Sequence, residues 1–253
     1  MTGLLEGKVA IVTGAGRGIG AATAARFASA GATVVVSDIN GDAANQVAAS
    51  LPNGRAVVCD VTDEQQVSAL VETTVEQCGR LDVMVNNAGI VGISPVVETD
   101  YADWRRVLAV DLDGVFLGIK HAAPAMAASG GGSIINIASV KAFGAMPGAG
   151  SYNASKAAVV SLSKTAALEL RGANVRVNAL CPGWLETDLI HENGAKLEKL
   201  TGVNLQEYIG HIQGRWGETD EIAAVALFLA SDRSRLINAA AIVADGGAMS
   251  SLL

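Results

Sequence analysis

Short β-branched runs alternate with Ala-rich, helix-forming runs along the 253-residue chain, and no other feature constrains the fold as strongly. The strand-like runs are 9–13, 33–37, 56–59, 83–86, 133–137, 175–180 and 241–244. Helical periodicity fills 18–30, 41–50, 63–78, 103–127, 151–171 and 218–230 between them. A strand that rejoins its sheet through a helix makes a right-handed crossover, so the pattern predicts an α/β fold with a doubly wound parallel sheet and helices on both faces. Such a sheet is buried on both sides. Half the residues are hydrophobic and only 4% are aromatic, so Ala, Val, Leu and Ile must build its core. No composition break marks a second domain, and 1–253 reads as one. Residues 184–215, after Pro182-Gly183, mix charge, glycine and scattered apolar side chains, and read as a substrate lid with short helices.

Charge and cysteine usage remove several function classes. A net charge of −7 argues against a nucleic-acid partner or an anionic membrane surface. No apolar run approaches the roughly 18 residues of a membrane span, and the opening Met1 to Lys8 lacks a signal peptide's basic start and long apolar stretch. The expected location is the cytoplasm. Cys59, Cys78 and Cys181 are widely spaced and odd in number, and read as reduced thiols. His121, His191 and His211 form no ligand cluster, so no metal site is expected.

A glycine-rich turn, Thr13-Gly14-Ala15-Gly16-Arg17-Gly18-Ile19-Gly20, follows the first strand and opens a helix. Glycines allow the tight turn, and the helix start offers free N–H groups to a pyrophosphate. Asp38, followed by Ile39, ends the second strand 18 residues after Gly20. An acid there can accept a hydrogen bond from a ribose 2′-OH and would repel a 2′-phosphate, which favours NAD over NADP. Arg17 could help hold the phosphates of either cofactor. Asp60-Val61 follows the third strand and could reach an adenine ring. Asn87, Ala88 and Gly89 follow the fourth, where Gly89 lets backbone approach a cofactor. All of these sit at carboxyl ends of strands, where open α/β sheets bind ligands.

Ser139 lies just past the fifth strand, and Tyr152 and Lys156 are four residues apart on a helix, hence on one face. An ammonium beside a phenol favours the phenolate and lowers its pKa, as proton transfer near neutral pH requires.

These blocks, in this order, resemble the short-chain dehydrogenase/reductase family. So do Pro182-Gly183, Arg215-Trp216-Gly217, Glu221-Ile222-Ala223, 228–232 and Asp245-Gly246-Gly247. The resemblance covers essentially the whole chain. It implies a Rossmann-like domain with about seven strands, usually in a homotetramer. It further implies that Tyr152 is the catalytic acid/base, that Lys156 binds the nicotinamide ribose, and that Ser139 steadies the substrate oxygen. Pro182, Gly183, Leu185 and Thr187 would contact the nicotinamide end. The outer faces of the long helices at 103–127 and 151–171 carry Leu117, Ala122, Val159 and Leu162, and whichever of these are not turned to the sheet would need cover in an oligomer.

Two departures from the family pattern stand out. Asp111 replaces the Asn of a Val-Asn-Leu-x-Gly-Val-Phe block, the family's fourth catalytic member, which orders a water on the path to the lysine. Asn238-Ala239 stands where the family often shows Thr-Gly. The segment 140–148, small and apolar, should line the substrate pocket. The resulting expectation is an NAD(H)-dependent oxidoreductase that interconverts a small hydrophobic secondary alcohol and a ketone. Alternatives are an NADPH-dependent 3-oxoacyl-carrier reductase and a non-catalytic nucleotide-binding protein.

Overall fold

Side chains alternate between the two faces of a strand, and here both sets are apolar. Ile11, Met84, Ile134 and Val177 belong to one buried cluster, whereas Ala10, Val12, Val83, Val85 and Ile135 belong to another. The computed structural model, which describes residues 3–250, accordingly places a parallel sheet between two helical layers. Its strands are β1 (Val9–Thr13), β2 (Thr33–Asp38), β3 (Gly54–Val58), β4 (Val83–Asn86), β5 (Gly132–Ile137), β6 (Val175–Pro182) and β7 (Ala241–Ala244). They pair in the order β3-β2-β1-β4-β5-β6-β7. The order reverses between β1 and β4, and the chain leaves these two strands in opposite directions. A crevice therefore opens at their carboxyl ends.

One face is covered by α1 (Gly18–Ser29), α2 (Gly41–Ala49) and α9 (Thr219–Ala230), through Phe27, Ala44, Ile222 and Leu229. The other is covered by α3 (Glu64–Cys78), α5 (Gly114–Ala128) and α6 (Gly150–Glu169), through Leu70, Val115, Ile119 and Val159. Side chains such as Phe27 and Leu70 each contribute about 1.5–3 kcal/mol by leaving water. Local chemistry sets the helix ends. Asp63 accepts the N–H groups of Gln65 and Gln66 at the start of α3, and a left-handed Gly79 ends it. Glu218 and Glu221 form a capping box on α9.

Four sequence expectations change. The third strand begins at Gly54 and ends at Val58, so Asp60 and Val61 sit in the following turn. The long helix at 103–127 is not continuous. It is α4 (Tyr101–Leu108), a π turn at Ala109–Asp113, and then α5. A single widened turn keeps the apolar periodicity nearly intact, so the pattern conceals it. Leu117, Ala122 and Val159 point into the core rather than outward, and the outward apolar side chains are instead Phe116 and Leu168. The segment 184–215, read as a lid, holds α7 (Asp188–Thr201) and α8 (Leu205–Ile212), and α7 is a full-length helix of 14 residues.

Ala239, the residue that departs from the family's glycine, has φ +60°, in the left-handed region that glycine occupies without strain. Asn238 holds the bend by accepting the N–H of Val177 at 2.9 Å. Among the described residues no helix is long and apolar enough to cross a membrane.

Candidate active site

The glycine turn lies in the crevice at the end of β1. α1 has no side-chain cap and no acid in its first turn, so its first N–H groups are free for a phosphate. Gly14 has φ +60°, and a Cβ on it would lie 2.7 Å from the Cα of Ala88, so the turn can sit against β4 only with glycine there. Thr13 binds the two strands together. Its Oγ1 accepts the N–H groups of Asn87 (3.0 Å) and Ala88 (3.2 Å), and the Asn87 amide donates to the carbonyls of Thr13 and Gly14. The Asp38 carboxylate is fixed from both sides by the N–H groups of Gly16 and Asn40, each at 2.9 Å. Gly14, Arg17, Gly18, Ile19, Asp38, Ile39, Asp60, Val61, Asn87, Ala88, Gly89 and Thr187 all line one groove of about 590 Å³. An uncapped helix start beside a fixed carboxylate suits a pyrophosphate and a ribose diol.

Two residues assigned to this groove behave differently. A Cβ on Gly20 would lie 2.3 Å from the Gly14 carbonyl oxygen and 2.5 Å from Asn87 Nδ2. Gly20 therefore lets α1 pack against the turn. Arg17 lines the groove but directs its guanidinium to the lid, pairing with Glu192 at 2.5 Å and Asp188 at 3.8 Å.

Ser139, Tyr152 and Lys156 line a second cavity, continuous with the groove through Ile19, Asn87, Gly89, Thr187 and Leu189. Pro182, Gly183 and Leu185 line it too. Lys156 Nζ lies 5.4 Å from the Tyr152 ring centroid, donates to the Ile137 carbonyl at 3.1 Å, and approaches Asp111 Oδ2 at 3.1 Å. The π turn brings Asp111 there, and its other oxygen accepts the N–H of Ile90 at 2.8 Å. Asp111 is fully buried and Lys156 almost so. A buried polar chain from Asn86 through Asn136 to Ser163 pins β4, β5 and α6 together beneath them.

The phenol does not titrate as the sequence suggests. Burial pushes the Tyr152 pKa up, Lys156 pulls it down, Asp111 pushes it up again, and Ser139 lowers it through a hydrogen bond; the net direction is upward. The lysine acts as expected, but desolvation in the cavity wall and the carboxylate outweigh it. Burial works against the Lys156 charge, yet Asp111 and Tyr152 prevail and its pKa is raised. Burial raises the Asp111 pKa against the pull of Lys156 and the Ile90 N–H. Burial also pushes the Cys59 and Cys181 thiols up to about 11.

The lid carries a small core of its own. Trp184, Leu197, Leu205 and Ile209 are buried together, and Trp184 meets Tyr208 and Trp216 edge-on at 6.3 and 6.4 Å. Trp184, Leu189, Ile190 and Leu197 line the cavity that holds Ser139, Tyr152 and Lys156, as do Val91, Ile93, Val140 and Met146.

A family model described as Enoyl-(Acyl carrier protein) reductase matches residues 14–249. The chain is 42% identical over 248 residues to meso-2,3-butanediol dehydrogenase of Serratia marcescens, covering 97% of this chain and 96% of that protein. It is 43% identical over 249 residues to a 3-oxoacyl-[acyl-carrier-protein] reductase of Thermotoga maritima, covering 96% and 98%. A crystal structure of a short-chain type dehydrogenase/reductase from Mycobacterium marinum superposes with a TM-score of 0.90 at 34% identity, covering 98% and 97%. The chain belongs to the short-chain dehydrogenase/reductase family. It is an oxidoreductase acting on CH–OH groups.

Within this short-chain dehydrogenase/reductase, sequence reasoning missed several cavity residues. Val91 and Ile93 follow Gly89 in the loop after β4, and the length of that loop was the available signal. Lys141 was absorbed into a segment read as apolar, although a lone lysine two residues past Ser139 was there to be noticed. Among the described residues, no group of three or more His, Cys, Asp or Glu side chains could hold a metal ion.

Proposed function

We propose that this protein oxidises secondary alcohols to ketones, and reduces them back, with NAD(H), using Tyr152 as acid/base. The observation that carries the proposal is the single cleft in which the uncapped helix start and Asp38 at one end run into Ser139, Tyr152 and Lys156 at the other. A bound nicotinamide supplies the acceptor for the hydride leaving the substrate carbon. Ser139 holds the substrate oxygen by a hydrogen bond. The ionised Tyr152 takes the alcohol proton as the C–H electrons depart, and returns it to the oxygen in the reverse direction. Lys156, steadied by Asp111 and the Ile137 carbonyl, favours the phenolate and would hold the ribose of a bound nicotinamide cofactor. Because the phenol pKa is raised, alcohol oxidation climbs through the alkaline range, whereas ketone reduction uses the protonated phenol present at neutral pH.

Asp38 supports NAD over NADP, since a carboxylate held by two backbone N–H groups cannot turn away from a 2′-phosphate. Similarity to a 3-oxoacyl-carrier reductase supports the rival NADPH reading. Cytoplasmic location and homotetrameric assembly complete the proposal. Apolar Phe116, Leu162 and Leu170 along a groove between α5 and α6 support a partner subunit there.

Titration of the native protein with each cofactor, followed by assay on a panel of secondary alcohols, tests this reading. NAD should bind at least about tenfold more tightly, a difference of about 1.4 kcal/mol, and secondary alcohols should yield NADH. Equal or tighter NADP binding would transfer the assignment to the carrier reductase.

A further inference from the structure

The walls of the catalytic cavity carry two charged side chains, Lys156 and Lys141. Lys156 is matched by Asp111. Lys141 is not matched: among the described residues no acid lies within 4.0 Å of its ammonium, which rests 4.8 Å above the Trp184 ring. Burial pushes its pKa below the ordinary lysine value, and no neighbouring carboxylate offsets that. Its backbone is anchored beside the catalytic serine, because Lys141 N–H donates to Ser139 Oγ at 3.1 Å. The cavity it lines is mostly apolar, with Val140, Met146, Trp184, Leu189 and Ile190 in its walls, and Thr187 and Asn193 add uncharged polar groups.

A partly buried cation without a counter-ion is unfavourable, and an aromatic face offsets only part of the lost hydration. An anion entering the cavity would complete the pair. One ammonium in a small apolar cavity suits a single carboxylate better than a phosphate, which carries more charge and needs several donors. Resting on the oxidoreductase reading above, we infer that Lys141 is a specificity-determining residue and that the substrate is a hydroxy or keto acid. Its carboxylate pairs with Lys141, its hydroxyl or carbonyl lies at Ser139 and Tyr152, and an apolar spacer joins the two.

Two measurements test this on native protein, Lys141→Met and Lys141→Arg. The first compares kcat/KM for 4-oxopentanoate with that for its methyl ester. Native protein should prefer the acid by about tenfold or more, Lys141→Met should lose the preference, and Lys141→Arg should keep most of it. The second titrates pentanoate against tryptophan fluorescence, and the dissociation constant should rise about tenfold in Lys141→Met. A native preference for the ester, a preference that survives in Lys141→Met, or equal pentanoate affinity in native and Met variant would overturn the inference. Inactivity on both compounds and on the secondary-alcohol panel, with pentanoate binding still dependent on Lys141, would count against the alcohol–ketone reading and leave the carboxylate site standing.

Discussion

The two ends of the cleft are built in different ways. Over β1, β2 and β4 the walls are backbone and short side chains, held by Thr13, Asn87 and the N–H groups that grip Asp38. Under α7 and α8 the walls are large side chains packed on a separate small core around Trp184, tied to the glycine turn by the Arg17–Glu192 pair. Both partners of that pair are more than half exposed, and such pairs are worth about 0–1 kcal/mol. The nucleotide end is therefore a fixed mould for chemistry that every dinucleotide shares. The α7–α8 end rests mainly on its own packing around Trp184, with Leu185 joining the main core. Recognition of a common cofactor and of a particular substrate are divided accordingly.

The largest effects should come from attacking each end separately. Gly20→Val forces side-chain atoms into the Gly14 carbonyl and Asn87. Overpacking of this kind costs about 1–3 kcal/mol, and Tm should fall by roughly 2–4 °C per kcal/mol, with cofactor affinity lost in parallel. Trp184→Ala empties the lid core instead. It should raise substrate KM several-fold while NAD affinity and Tm change much less. If Trp184→Ala lowers Tm as far as Gly20→Val does, the lid is part of the main cooperative unit and the contrast fails.

Asp111→Asn probes the junction between the ends. Tyr152 is raised chiefly by burial, Lys156 opposes, and the Asp111 charge raises it further. A neutral amide removes that last contribution, so the phenol pKa falls and the alkaline rise of alcohol oxidation should move to lower pH. The shift is read as a displacement of the kcat-against-pH profile toward lower pH. An unmoved profile would show that Asp111 carries no charge in the working enzyme.

The smallest effect tests β7, away from both ends. Ala239→Gly relieves a left-handed alanine worth about 1–2 kcal/mol but adds roughly 0.5–1 kcal/mol of chain entropy to the unfolded state. Tm should rise by a few degrees at most, with kinetics unchanged. A fall in Tm would show that the bend held by Asn238 is not strained.

The same division explains what the sequence disclosed. Asp38 and the glycine turn were legible because each must sit at a fixed distance from a strand end, and strands announce themselves by apolar runs. Tyr152 and Lys156 were legible because helical spacing alone puts them on one face. The π turn was not, since one widened turn leaves the α4–α5 apolar stripe almost unbroken, yet it delivers Asp111 to Lys156. The upward shift of the phenol was also hidden, because spacing reveals the lysine but not the burial that opposes it. Lys141 escaped because its isolation depends on Trp184, brought to it from beyond β6 by the lid. Gly20 read as a cofactor contact, and its close approach to Gly14 and Asn87 adds a packing role that spacing does not disclose.

The central claim is that Tyr152 transfers the proton, while Lys156, Asp111 and Ser139 tune and position it. Tyr152→Phe removes the hydroxyl and keeps the ring that packs against Lys156. The direct test is NADH formation from a secondary alcohol by native and variant protein, with NAD affinity measured on both. The expected result is a loss of about 10²–10⁴-fold in kcat with NAD affinity nearly unchanged. A variant that keeps more than about a tenth of the native rate would contradict the account, because a group supplying general acid–base catalysis cannot be removed so cheaply.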